Sequence, residues 1–199
     1  MTEQRATPAR EHVNPYYLRV VHVSNRTGLK AAQHARAKAL AEAMARSAGY
    51  AEAVLSHDQE GKPFFPGIPL FVSISHSETL VAVETGPGPV GVDIQYVKPS
   101  TDINAISRRF FTQEEASFTE GDPIRFFRIW TKKEAKLKAV GGTLIAMLGK
   151  DDTLEAGFGE SHSTCLVFQG KTYLLSVYGP KPVWSGSVEA DQGGEHERQ

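Results

Sequence analysis

Cysteine is almost absent: Cys165 is the one example in 199 residues. A lone thiol excludes an internal disulfide and fits a reducing compartment. Between Thr164 and Leu166, in a strand-like run, it reads as a small buried residue rather than a nucleophile. Charge of neither sign dominates: 22 Lys and Arg meet 23 Asp and Glu, a net charge of -1. No whole-molecule field therefore draws the chain to nucleic acid or to an anionic membrane. No apolar run is long enough to span a bilayer, and Met1 to Asn14 lack the apolar core of a secretory signal. These absences predict a soluble, cytoplasmic protein. Also missing are the Gly-x-Ser-x-Gly elbow, the Walker loop, the dinucleotide fingerprint and zinc-ligand spacings. Ser75, His76 and Ser77 are merely neighbours in sequence, which establishes no triad.

What is present is a chain that is 40% hydrophobic, enough for one large domain or two small fused ones. Residues 1–14 are polar and read as a loose N-terminus. Tyr16 to Val23 is β-rich, and Leu29 to Ala48 reads as a long helix. Leu70 to Ser75 alternates, with Leu70, Val72 and Ile74 on one face and Phe71, Ser73 and Ser75 on the other. With Thr79 to Glu84 it forms a hairpin. Val90 to Tyr96 is a further strand, and Pro99-Ser100 reads as a joint. Thr101 to Arg109 reads as a short helix, Thr112 to Glu115 as a capping box, and Asp122-Pro123 as the start of another helix. Strands are expected over 152–156, 164–169, 171–178 and 183–188, and a polar, disordered tail over 189–199. Each half thus carries helix and a few antiparallel strands. The predicted fold is α+β, a pseudo-dimer of two similar halves spanning 15–99 and 100–188.

Two stretches carry chemistry. In the helix Trp130 to Lys138, residues Trp130, Glu134 and Lys138 form one stripe at i, i+4, i+8, with Lys132 and Lys133 in the same turn. A solvated face with a Glu–Lys pair is the plain reading. A partly buried carboxylate needing a counter-charge or a metal is the other. In the strand Val90 to Tyr96, Gly91, Asp93 and Gln95 share one face, which is either the polar side of an edge strand or room for a cation. Oxygen ligands (Asp93, Gln95, Glu134) beside lysines (Lys62, Lys133, Lys138) suit Mg²⁺ and a polyphosphate substrate. Lys30, His34 and Lys38 line one side of the first long helix and could hold an anion if that helix borders a ligand.

Five motifs occur in order: Gly61-Lys-Pro63, Ile74-Ser-His-Ser77, Gly91-Val-Asp-Ile-Gln95, Phe110-Phe-Thr-Gln-Glu-Glu115 and Trp130-Thr-Lys-Lys-Glu-Ala-Lys-Leu-Lys138. Together they resemble the 4′-phosphopantetheinyl transferase superfamily, in its long, single-chain, pseudo-dimeric group typified by the surfactin-synthetase activator. The resemblance covers roughly residues 61–144. It implies transfer of the phosphopantetheine arm of coenzyme A to a serine of an apo acyl or peptidyl carrier protein, releasing adenosine 3′,5′-bisphosphate. It implies Mg²⁺ on Asp93 and Glu134, with Gln95 as third ligand, and Glu134 as base, directly or through water. Lys138 is then expected on the pyrophosphate, with Lys133 also on the cofactor, and Lys62, Ser75 and His76 at the 3′-phosphate end. A monomer with no nucleic-acid or membrane partner is expected, since a paired fold completes its own site. Two departures stand out. Gln95 replaces the more usual Glu, and Thr143 replaces the second glycine of the loop after Lys138. The weakened acidic set leaves a non-catalytic binder of coenzyme A or carrier protein as the alternative. Arg36 or Lys38 is a candidate grip on the nucleotide.

Overall fold

The computed structural model describes residues 16–25, 27–141 and 149–190. The expected loose N-terminus, the Gly142 to Leu144 loop and the tail beyond residue 190 lie outside the described residues. The elements run β1 (Tyr17–His22), α1 (Leu29–Ser47), β2 (Ser56–His57), β3 (Pro63–Phe64), β4 (Phe71–Ser77), β5 (Leu80–Gly86) and β6 (Gly91–Tyr96). They continue with α2 (Ile103–Phe110), α3 (Gln113–Thr119), α4 (Pro123–Val140), β7 (Ser161–Phe168), β8 (Lys171–Tyr178) and β9 (Val188–Glu189).

Mixed α+β architecture is what the hydrophobic patterning predicts. The first sheet has the order β4-β5-β1-β9, the second β6-β8-β7. In both, a strand leads to a long helix and then to a hairpin whose second strand lies in the middle: β1-α1-β4-β5, then β6-α4-β7-β8. β6, which precedes Pro99-Ser100, hydrogen-bonds to β8 and so lies in the second sheet. The sheets share a core of Leu18, Val20, Leu80 and Ala82 against Val92, Ile94, Leu166 and Tyr173. On the far face of the first sheet, α1 packs Ala37, Leu40, Ala41 and Ala45 on Val21, Val81 and Val83.

Local signals explain most boundaries. The Asp122 side chain accepts from the Ile124 and Arg125 amides, and Pro123 opens α4 with no N–H to satisfy. The Thr112–Glu115 capping box is fully formed. Gln169 and Gly170 both have positive φ, 49° and 73°, as a tight two-residue hairpin requires. Four expectations need correction. Residues 152–156 form turns held by Asp152, whose side chain accepts from the Leu154 amide, rather than a strand. The 183–188 run is not a continuous strand: it holds a bridge at Val183 and only the start of β9. Glu189, expected to begin the tail, ends β9 and pairs with Arg19 of β1. Cys165 lies exposed on β7 rather than buried.

Candidate active site

The site begins with a glycine. A Cβ on Gly91 would sit 1.9 Å from the Ala135 carbonyl oxygen and 2.9 Å from the Ala139 amide nitrogen. Absence of that atom lets α4 lie directly on β6. The room beside Asp93 is therefore filled by helix backbone. Glu134 and Lys138, flanking Ala135 and Ala139 in sequence, come down beside Asp93.

Asp93 is 2% exposed. Its Oδ1 accepts from Lys138 Nζ and from the Ser75 hydroxyl, both at 2.8 Å. Lys138 also donates to the Val92 carbonyl at 3.0 Å. Asp93 Oδ2 is buried and accepts no hydrogen bond from any described residue. A buried carboxylate oxygen with nothing on it is a strong demand for a cation. Glu134 is half-buried. Burial first, then the Asp93 charge, push its carboxyl above the usual range, while Lys138 pulls it down. Two carboxylates that repel in this way, one with an open oxygen, fit a divalent ion. Among the described residues no group of three or more His, Cys, Asp and Glu forms a metal cluster. A site with two carboxylates suits Mg²⁺, which keeps several waters and shares phosphate oxygens. Gln95 is half-buried on the same strand, two residues on, and adds a neutral oxygen to that face.

Beside this pair runs a groove. One part, about 260 Å³, is lined by Glu60, Gly61, Lys62, Leu137 and Lys138. A second, about 560 Å³, is lined by His34, Lys38, His57 and His76. They share Gly61, Pro63 and Ile74, so one open channel runs from α4 to α1. Lys62 reaches the Ala139 carbonyl at the end of α4, 3.3 Å away. The exposed His76 ring meets His34 edge-on, with centroids 6.2 Å apart. Desolvation first, then His34 and Lys138, hold His76 below the usual imidazole range. Lys38, Lys62 and Lys138 line the groove together with Glu60, and Lys138 links it to Asp93.

Asp93, Glu134, Lys138, Lys62 and His76 converge as a set. Two expected cofactor contacts do not join them. Lys133 is fully buried, paired with Glu115 at 3.0 Å and donating to the Asp151 carbonyl. It sits next to Glu134 in sequence but about 100° around the helix, in the packing between α3 and α4. Glu115 also accepts from the Thr112 and Thr153 amides, at 3.0 and 2.8 Å. Its role is to join the α3 cap to the turn at 151–153. Ser75 is 5% exposed, and its one proton goes to Asp93 while it accepts from the Ile94 amide at 3.2 Å. It stands behind the carboxylate, with no donor left for a phosphate. Of the two suggested nucleotide grips, Lys38 borders the groove, though it also pairs with Glu42, while Arg36 lines a different cleft with Arg19 and Glu189. His57, at the end of β2, also lines the groove. Its only sequence signal is its nearness to Gly61-Lys62-Pro63.

The model of the 4′-phosphopantetheinyl transferase superfamily matches residues 89–179, the second structural unit. The 4′-phosphopantetheinyl transferase AcpT of Salmonella typhi is 33% identical over 133 residues, 63% of this chain and 67% of its own length. AcpT of Escherichia coli (strain K12) is 31% identical over 133 residues, 63% of this chain and 66% of its own. The 4′-phosphopantetheinyl transferase Sfp of Bacillus subtilis (strain 168) is 30% identical over 131 residues, 59% of this chain and 56% of its own.

Proposed function

The chain belongs to the 4′-phosphopantetheinyl transferase superfamily, a family of enzymes, and we propose that it moves the 4′-phosphopantetheine arm of coenzyme A to a serine hydroxyl of an apo acyl or peptidyl carrier protein. The observation that carries this reading is the open, buried Oδ2 of Asp93 beside Glu134, with Lys138 joining the pair to a groove that Lys62 also lines.

In this reading Asp93 and Glu134 would hold Mg²⁺, with Gln95 contributing directly or through water, and the bound ion would supply neutralisation of charge on the pyrophosphate of coenzyme A. Lys138, already on Asp93 and the Val92 carbonyl, is placed to meet a pyrophosphate oxygen. Lys62 and His76, joined by His34 and Lys38, receive the 3′-phosphate end. The serine oxygen of the carrier attacks the phosphorus that bears the pantetheine arm, and a new P–O bond forms. The bond from that phosphorus to the bridging oxygen breaks, and adenosine 3′,5′-bisphosphate leaves with the electron pair. Glu134, directly or through one water, takes the serine proton. Positioning and charge neutralisation carry most of a phosphoryl transfer, so a small set of side chains suffices.

The test is incubation with coenzyme A, Mg²⁺ and a panel of apo carrier proteins, read by intact mass. A gain of one phosphopantetheine on at least one carrier is expected. Binding of coenzyme A with no gain on any carrier would instead favour a non-catalytic binder.

A further inference from the structure

Three serines on β4, Ser73, Ser75 and Ser77, face β6 at a spacing of two residues. Their hydroxyls accept from the amides of Val92 (3.0 Å), Ile94 (3.2 Å) and Tyr96 (2.8 Å). One edge of β6 is paired with β8, and its other edge is capped by side chains instead of a strand. The two sheets are thereby spliced without backbone pairing between them. Free strand amides buried at an inter-sheet seam need such acceptors.

The middle rung differs from its neighbours. Ser75 alone also donates, to Asp93 Oδ1. Lys138 approaches the same oxygen from α4. Two donors on Oδ1, one from each structural unit, fix the rotation of the carboxyl group and leave Oδ2 bare. Residues that hydrogen-bond a metal-binding carboxylate orient it, and losing one typically weakens the metal about 10–100-fold.

We propose that Ser75 is a positioning residue for the metal site: through its bond to Asp93 Oδ1, the first unit aims the open oxygen of the second at the cation. The inference rests on Asp93 binding metal, as proposed above. It makes the serine an orienting group rather than a phosphate contact, and it explains why one serine of three is doubly used.

The test compares Ser73→Ala, Ser75→Ala and Ser77→Ala, with Ser75→Thr as the conservative rescue. Each alanine removes one cap from a β6 amide, so a purely structural role predicts similar effects from all three. Binding of Mn²⁺ to the protein, without coenzyme A, is read by electron paramagnetic resonance, and stability by thermal unfolding. Ser75→Ala is expected to weaken Mn²⁺ binding about tenfold. Ser73→Ala and Ser77→Ala are expected to stay within about twofold of the parent, and Ser75→Thr to restore most of the loss. Equal weakening in all three alanine variants, or none in Ser75→Ala, would overturn the inference while leaving the metal site standing. A parent protein that binds no Mn²⁺ would overturn the metal reading and the inference with it.

Discussion

The two structural units share a path but divide the labour. In the second, α4 lies on β6 and brings Glu134 and Lys138 to Asp93. In the first, α1 presents Ala37, Leu40, Ala41, Met44 and Ala45 as its buried face, with no charge among them. Counted from the hairpin turns, Tyr17 opposite Thr85 stands where Asp93 stands opposite Ser176. Tyr17 packs against the α1 core. Arg19, two residues on, is tied to Glu189, where the second unit has Gln95. Leu166 of β7 likewise takes the place of Ser75 of β4, on the basis of the same count. The cleft beside Leu166's strand, about 500 Å³ and lined by Leu18, Ser161, Ser163 and Trp184, has no acidic residue among the described residues. A repeated path thus yields one carboxylate pair at a helix–strand contact, Asp93 beside Glu134. Where one helix meets its strand through carboxylate and ammonium, the other does so through alanine and tyrosine.

Buried charge divides in the same way. The second unit buries Glu115 with Lys133 and two backbone amides. The first buries Glu84, 0% exposed, with neither oxygen hydrogen-bonded among the described residues. Desolvation raises the Glu84 carboxyl to about 9, so it is neutral at pH 7. One acid is paired with a buried ammonium, the other kept neutral by its surroundings.

Changes that upset this contrast rank by size. Lys133→Met strands the Glu115 charge and is expected to destabilise the protein by about 3–5 kcal/mol. Adding Glu115→Gln should recover part of the loss in urea unfolding, and a single variant as stable as the parent would remove the pair from the explanation. Glu84 comes next. Its folded value lies above the ordinary 4.5, so its contribution is fully present below about pH 4.5 and declines as pH rises toward about 9. By pH 7 the decline amounts to about 3 kcal/mol. Glu84→Gln should flatten that slope, so unfolding free energies of parent and variant should converge or cross between about pH 5 and about pH 8. Parallel curves would mean that Glu84 does not hold its proton. The smallest effect is expected from Gly91→Ala. Its new methyl meets the Ala135 carbonyl and must push α4 off β6. A loss of about 1–3 kcal/mol is expected, with weaker metal binding, since Glu134 and Lys138 ride on that helix. Retained stability and metal binding would show that the close approach is not needed.

Much of this was legible in the residues. Alternation in Leu70 to Ser75 and in Val90 to Tyr96 assigned faces correctly, and the i, i+4 stripe placed Glu134 and Lys138 together. Capping chemistry located the starts of α3 and α4. What was hidden depends on contacts distant in sequence. The Ser73, Ser75, Ser77 alternation reads as a polar face, and only the edge of β6 opposite turns it into a row of caps. Lys133 was grouped with the site because it adjoins Glu134 in sequence; the helical turn sends it to Glu115. Gly91 read as room for a ligand, and the room is taken by α4. Glu84 reads as the end of a strand, whereas β5 continues to Gly86 and Glu84 stands opposite Leu18 of the inter-sheet core.

The most direct measurement is a calorimetric titration of Mg²⁺ into the metal-free parent, Asp93→Asn and Glu134→Gln. One ion per chain is expected for the parent, with affinity lower by at least about tenfold in each variant. Binding in both variants equal to that of the parent would contradict a cation shared between β6 and α4.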